Sequence, residues 1–389
     1  MNTPRSHALP SGFRSIVSNL GIKDSTDDLV IIAADTPVSA AGVFTQSRFV
    51  GPSVSVSRDH LLDHRAAAIV VISKNANVAN GATGMADTLE VVRLVASLVG
   101  CAESDVLIAS TGVIGRPYPM DRIRAGFNDL SQNEWAAGLP DVARAIMTTD
   151  TVEKTSSSTI EGSDAIVAGV AKGVGMLEPN MATMISMVLT DADITPHDLN
   201  TIFKRVADRS FNCISVDGDT STSDTAVVLA SGSAGEVSLE AFERALEHVC
   251  IDLSRQIAAD GEGAETLIEV VVDEARDDDQ ARRVAKSIVN SPLVKTAVHG
   301  ADPNWGRIAM AVGKVNDHDI DQNRVTIRIG DKELFPHQVS ERELQELSTY
   351  LQRNEILINV SLGIGGGSAR VWGCDLTDGY IRINADYTT

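Results

Sequence analysis

The segment Pro179-Asn180-Met181-Ala182-Thr183 sets a hydroxyl residue between a loop broken by Gly173, Gly175 and Pro179 and an apolar run from Met184 to Leu189. Threonine is a weak nucleophile that needs an adjacent base, and a chain cut before Thr183 would supply one as its own α-amine. With an ordinary pKa of about 7.7 to 8, that amine is partly neutral at physiological pH and can take up a proton. Read alone, Thr183 is equally a plain strand start, where threonine is common. A second candidate is Ser110-Thr111-Gly112, which follows the apolar run from Val106 to Ala109. A glycine turn there can present a hydroxyl and backbone N–H groups to an oxyanion, as acyl transfer requires, or simply turn the chain. Lys172 closes the apolar run from Asp164 to Ala171 and could hold a carboxylate, although most lysines run out to solvent. Glu262 in a Gly-Glu-Gly turn could receive an ammonium group, although a surface acid often sits in such a turn.

Other motifs fail on spacing. Gly363-Ile364-Gly365-Gly366-Gly367-Ser368 lacks the dinucleotide-binding offsets, and no phosphate-loop lysine follows it. Asp217-Gly218-Asp219-Thr220-Ser221-Thr222 begins like a calcium loop but carries Thr222 where the turn needs glycine. The eight histidines are scattered with no HxH pair, and the four cysteines, Cys101, Cys213, Cys250 and Cys374, form no CxxC pair, so no metal site is expected. There is no GxSxG nucleophile elbow.

The elements that must position these residues alternate. Strands are expected from Ala66 to Ile72, Val106 to Ala109, Asp164 to Ala171, Met184 to Leu189 and Leu267 to Val272. Between them, helical spacing runs from Met85 to Val99, with Gly100 as its stop, and from Ser238 to Ala259 and Asp279 to Val289; Thr195 caps a helix that opens on Pro196. Further on, Arg324 to Ile329, Ile356 to Leu362, Ala369 to Trp372 and Tyr380 to Ile383 read as strands around one helix, Glu341 to Leu351. This mixture predicts a layered α/β (α+β) architecture, with a domain boundary near residue 290 and a smaller α+β domain over 291–389.

The composition limits what such a site can serve. Over 389 residues, 33 Lys+Arg against 53 Asp+Glu leave a net charge of −20, which repels nucleic-acid backbones and anionic lipid surfaces. No apolar run approaches the length of a membrane span, and scattered cysteines without a secretory leader predict a cytoplasmic home.

Taken in order, Ser110-Thr111-Gly112-Val113-Ile114-Gly115, Met147-Thr148-Thr149-Asp150-Thr151, Lys172-Gly173-Val174-Gly175-Met176, Pro179-Asn180-Met181-Ala182-Thr183 and Asp217-Gly218-Asp219-Thr220-Ser221-Thr222 resemble the ornithine acetyltransferase (glutamate N-acetyltransferase) family. Asp260-Gly261-Glu262-Gly263-Ala264, Asn290-Ser291-Pro292-Leu293-Val294-Lys295-Thr296-Ala297, Asp302-Pro303-Asn304-Trp305-Gly306-Arg307 and Asn384-Ala385-Asp386-Tyr387-Thr388-Thr389 extend the likeness across the chain.

The resemblance implies a layered αββα sandwich, spanning 1–290, of the kind that cuts itself to expose an N-terminal nucleophile. Cleavage would fall between Ala182 and Thr183, leaving an α chain of 1–182 and a β chain of 183–389, assembled as α2β2 or higher. It makes Thr183 the nucleophile and assigns the oxyanion contacts to Thr111 and Gly112. Thr149, Lys172, Thr183, Glu262, Asn384 and Thr389 become substrate contacts. The implied reaction moves an acetyl group from N-acetylornithine to glutamate without a cofactor. Leu177-Glu178 and Arg116-Pro117-Tyr118-Pro119 are closer to the family's monofunctional, secondary-metabolism branch than to enzymes that also use acetyl-CoA. The competing readings are a bifunctional enzyme, a self-cleaving aminopeptidase or amidase-like hydrolase, and an inactive binding scaffold.

Overall fold

In the computed structural model, which describes residues 8–130, 135–178, 184–337 and 339–386, the first part of the chain alternates strands and helices. In order these are β1 (Phe13–Ser18), β2 (Leu29–Phe44), α1 (Pro52–His60), β3 (Arg65–Ile72), α2 (Gly81–Val99), β4 (Val106–Ser110), α3 (Met120–Leu130) and α4 (Leu139–Ile146). Then come β5 (Lys154–Thr159), β6 (Ile166–Lys172), β7 (Ile185–Asp193), α5 (Pro196–Arg209), β8 (Thr225–Glu236) and α6 (Leu239–Ala259). Local chemistry sets several boundaries as expected. Gly100 ends α2 in the left-handed region at φ +83°, where glycine carries no Cβ penalty, and the Thr195 side chain accepts the Asp198 N–H at the start of α5.

β2 organises this unit because it changes partners along its length. Its first half, Leu29 to Ala33, pairs with β1 on one side and β3 on the other; after a register shift between Ala33 and Val38, its second half pairs with β8. The strand order is β4-β3-β2-β8-β7-β6-β5, with β1 beside β2. Side chains alternate across the pleat, so each half has an inner and an outer face. Val30, Ile32, Ile69 and Val71 of the first half share one buried cluster with Val170, Met187, Leu189 and Leu229 of the second, and α4 adds Val142 and Ile146. The alternate residues Leu29, Ile31, Val70 and Ile72 face outward to Val56, Val91, Val95 and Phe127 of helices α1 to α3. On the second half, a Cβ at Gly169 would meet Leu253 and Val249 of α6 at 3.1 and 3.3 Å, so β6 and α6 are in close contact there. Helices therefore cover the outside of two strand layers whose inner faces share a core, which is the expected αββα layering.

The second unit contains Cys213–Gly218 and the chain from Ser254. Its elements are β9 (Leu267–Ala275), α7 (Asp278–Val289), α8 (Pro292–His299), α9 (Trp305–Gly313), β10 (Thr326–Ile329), β11 (Lys332–Phe335), α10 (Glu341–Leu351), β12 (Glu355–Ser361), β13 (Gly367–Cys374) and α11 (Asp378–Asp386). The sheet order β11-β10-β12-β9-β13 places β9 between two C-terminal strands, parallel to β12 and antiparallel to β13. This is why the division falls after Leu253 and not near residue 290: β9 and α7 complete the C-terminal sheet. The strand expected from Tyr380 to Ile383 is instead the middle of helix α11. Gly379 N–H donates to the Thr377 hydroxyl at its start, and Arg382 bridges to Asp378 one turn away at 2.6 Å; a short Tyr-Ile-Arg-Ile run fits either period. Among the described residues, no helix is long and apolar enough to cross a membrane.

Candidate active site

The pairing registers bring four strand ends into one row. Lys172 at the end of β6 faces Ile185 at the start of β7, Ile185 faces Thr225 at the start of β8, and Thr225 faces Phe44 at the end of β2. One residue beyond that row stand Gly173, Met184, Asp224 and Thr45. Thr45 N–H donates to the Asp224 carbonyl at 3.1 Å, and Met184 N–H donates to Asp224 Oδ1 at 3.0 Å. Ala182 and Thr183, the proposed cleavage pair, lie outside the described residues, as does Thr389; Thr183 is joined to Met184 by one peptide bond.

Lys172 is buried, and its ammonium is held on two sides. Nζ donates to Thr148 Oγ1 at 2.8 Å and lies 3.6 Å from Asp150 Oδ2. Asp150 Oδ1 in turn accepts from Lys154 Nζ at 2.8 Å and from Gly173 N–H at 2.7 Å, while Oδ2 accepts Thr148 N–H at 3.1 Å. Burial pushes the Asp150 carboxyl up, but Lys172, Lys154 and these hydrogen bonds outweigh it and hold the group well below the usual carboxylate range. The segment 148–150 thus fixes a cation at the strand edge, and Thr149 sits half-buried within it.

On the other half of the unit, Ile72 pairs with Ser110, so the segments after β3 and β4 leave side by side. Thr111 N–H donates to the Ile72 carbonyl at 3.1 Å, and Val113 N–H to the Lys74 carbonyl at 3.2 Å. Gly112 has φ +129°, and a Cβ there would lie 2.2 Å from the Lys74 carbonyl carbon, so only glycine fits. The Ser110 hydroxyl is bonded to the Tyr118 hydroxyl beneath the turn. Thr111 is buried and its N–H is committed, which leaves its hydroxyl and the Gly112 N–H as the groups able to meet an oxyanion.

The end of α4 links these two regions. The Ala145 carbonyl accepts from Ser73 Oγ and from Lys23 Nζ, both at 2.8 Å, and the chain then runs directly into Thr148 and Asp150. Lys23 also donates to the Asp27 carbonyl at 2.7 Å. Burial lowers its pKa to about 8, assisted by Lys172 and opposed by Asp28. Lys23, Lys154 and Asp224 stand in no motif singled out in the sequence, and Thr148 and Asp150 belong to the Met147–Thr151 motif, in which the sequence marks only Thr149 as a site residue. Strand register and the end of α4 bring them to the site.

Within the second unit, Glu262 and Asn384 meet. Asn384 Nδ2 donates to Glu262 Oε2 at 2.9 Å and to the Tyr380 carbonyl at 3.0 Å. Gly263, at φ +69°, lets the turn approach α11: a Cβ there would fall 2.3 Å from Tyr380 N. Among the described residues, Glu265, His299 and Asp375 come nearest to a metal-ligand set, with His299 Nδ1 3.2 Å from Asp375 Oδ2 and 3.7 Å from Glu265 Oε2.

A family model described as the ArgJ family matches residues 14–389. An arginine biosynthesis bifunctional protein ArgJ 2 from a Nostoc strain is 52% identical over 381 residues, covering 98% of each chain. A glutamate N-acetyltransferase Oat2 from Streptomyces clavuligerus is 48% identical over 395 residues, covering 100% of this chain and 99% of its own. A solved structure of an arginine biosynthesis bifunctional protein ArgJ from Bacillus halodurans is 44% identical, covers 52% of this chain and 98% of its own, and aligns with a TM-score of 0.49. The chain belongs to the ArgJ family.

Proposed function

We propose that this protein is a glutamate N-acetyltransferase that carries acetyl from N-acetylornithine to glutamate through an acetyl-threonine at Thr183. The observation that carries the reading beyond family membership is the buried Lys172 cation at the end of β6, directly across from the start of β7, which Thr183 precedes by two residues. A fixed cation there suits the α-carboxylate common to both amino-acid substrates.

Thr183 Oγ attacks the acetyl carbonyl while its free α-amine takes the hydroxyl proton. The Thr111 hydroxyl and Gly112 N–H meet the tetrahedral oxyanion, and the amine leaves as ornithine with that proton. Glutamate then enters, its amine attacks the ester, and N-acetylglutamate departs. Thr149, Asn384 and Thr389 complete the contacts, and Glu262 receives a substrate ammonium. No step needs a cofactor.

The same family likeness supports self-cleavage between Ala182 and Thr183 into chains 1–182 and 183–389, assembly as two α and two β chains or more, and cytoplasmic action in arginine biosynthesis. The name of the Nostoc relative supports a second reading, a bifunctional enzyme that also acetylates glutamate from acetyl-CoA. Loss of N-acetylornithine measured with and without glutamate, and glutamate acetylation measured with acetyl-CoA alone, test these readings. Transfer requires that consumption depend on glutamate; consumption at the same rate without glutamate establishes a hydrolase and overturns the proposal.

A further inference from the structure

Asp224 is fully buried at the start of β8 and is used by no step above. Its Oδ1 accepts the Met184 N–H, the amide of the peptide bond that joins Thr183 to β7. Its Oδ2 is buried with no hydrogen-bond partner, which is costly for a carboxyl unless a chemical role retains it. The Thr45 and Ser221 hydroxyls act on the carboxyl and favour its charged form, but Thr45 donates its proton to the Ser221 carbonyl at 2.7 Å. Lys172, at the end of β6 on the far side of β7, exerts a weaker coulombic pull on the carboxyl. Burial raises the carboxyl well above its ordinary range, against the opposing pull of the Met184 N–H, the two hydroxyls and Lys172. When protonated, the acid carries its proton on Oδ2, because Oδ1 accepts the Met184 N–H and Oδ2 has no partner.

We propose that Asp224, anchored on the Met184 amide with its second oxygen unpaired, is the proton carrier for self-cleavage before Thr183. This rests on the reading of Thr183 as the nucleophile. In the step, Thr183 Oγ bonds to the Ala182 carbonyl carbon and the Ala182–Thr183 C–N bond breaks. Asp224 gives its proton to the departing Thr183 nitrogen and recovers one from the Thr183 hydroxyl, so the shift to an ester involves no net proton change. Water then hydrolyses the ester, releasing the Ala182 carboxyl and restoring the Thr183 hydroxyl. Its position suits this role, because a proton carrier must lie within reach of the bond it serves, and Asp224 is hydrogen-bonded to the amide next to Thr183.

The test follows cleavage of the full-length chain made by cell-free translation, timed by denaturing mass spectrometry across a pH series. Wild type, Asp224→Asn, Asp224→Glu and Thr183→Ala are compared. The expected result is cleavage slowed on the order of 10² or more in Asp224→Asn, within the usual range for general acid–base catalysis. Asp224→Glu is expected to restore part of the rate with a displaced pH profile. A wild-type rate in Asp224→Asn overturns the proposal. Should the Asn variant fail to fold, a Glu variant whose pH profile superimposes on wild type overturns it equally. Cleavage at the same bond in Thr183→Ala refutes the nucleophile assignment instead. An uncleaved Thr183→Ala beside a normally cleaving Asp224→Asn removes only the role of Asp224.

Discussion

Lys172 Nζ lies 3.6 Å from Asp150 Oδ2, inside a buried cluster that also holds Lys154 against the other oxygen of the same carboxylate. One acid thus faces two buried lysines, and its removal takes the same counter-charge from both. Breaking a buried pair from one side costs about 3–5 kcal/mol. Asp150→Asn is expected to lose stability on that scale in chemical denaturation and to raise KM for N-acetylornithine. An unchanged denaturation midpoint would show that water or a neighbouring acid compensates.

The Thr111 turn yields a contrast between two glycines. Gly112→Ala drives a Cβ into the Lys74 backbone, which has no flexible end to give way, whereas Gly115, at φ +80°, has open space around its missing Cβ. Gly112→Ala should lose activity by about 10² or more as the oxyanion donor shifts. Gly115→Ala should incur only the backbone strain of about 1–3 kcal/mol, with kcat/KM near wild type. Equal kinetic losses in the two variants would deny Gly112 a special place. Thr111→Ala should lower kcat by about 10² to 10³ with little change in KM.

Lys23 makes stability depend on pH in a defined window. Its folded pKa is about 8 against an ordinary value of 10.5, so between those limits the folded chain binds fewer protons than the unfolded one. Stability contributed at this site therefore rises with pH from about 8 to 10.5, and the penalty for burying the charge is fully present below 8. The stability of wild type relative to Lys23→Met should rise with pH across that window. Parallel stability curves would contradict the assignment.

Much of the scaffold is legible in the sequence because local signals agree with one another. Gly100 and Thr195 end and begin helices by backbone and capping chemistry that needs no tertiary context, and β3, β4, β6 and β7 are short apolar runs bounded by polar turns. Tyr380 to Ile383 reads as a strand, wrongly, because four residues cannot separate a period of 2 from one of 3.6, and the Asp378–Arg382 bridge that favours helix spans the run's edges. The domain boundary is displaced from its expected place because β9 precedes α7 in the chain yet pairs with β12, which lies far downstream in sequence. Thr111, Gly112 and Lys172 are readable as motif members. Asp150 stands in the Met147–Thr151 motif, but its role as counter-ion, like any role for Asp224, emerges only when strand register sets the two on either side of β7.

Glu262 and Asn384 allow a separate test in the second unit, where they bond to each other at 2.9 Å. Glu262→Gln keeps the shape but removes the charge offered to a substrate ammonium. It should raise KM for N-acetylornithine about tenfold or more, as the loss of a charge-assisted bond predicts, while the melting temperature stays near wild type. A KM unchanged for both substrates would place Glu262 outside the binding site.

The acyl-threonine itself can be weighed directly. Purified protein incubated with N-acetylornithine and no acceptor, then denatured for intact-mass and peptide analysis, should show chains of about 19 and 22 kDa. The heavier chain should carry one added acetyl group on Thr183 and lose it when glutamate is supplied. A single uncleaved 41.3 kDa species that still transfers acetyl, or a cleaved enzyme that turns over without acetyl on Thr183, would contradict the account.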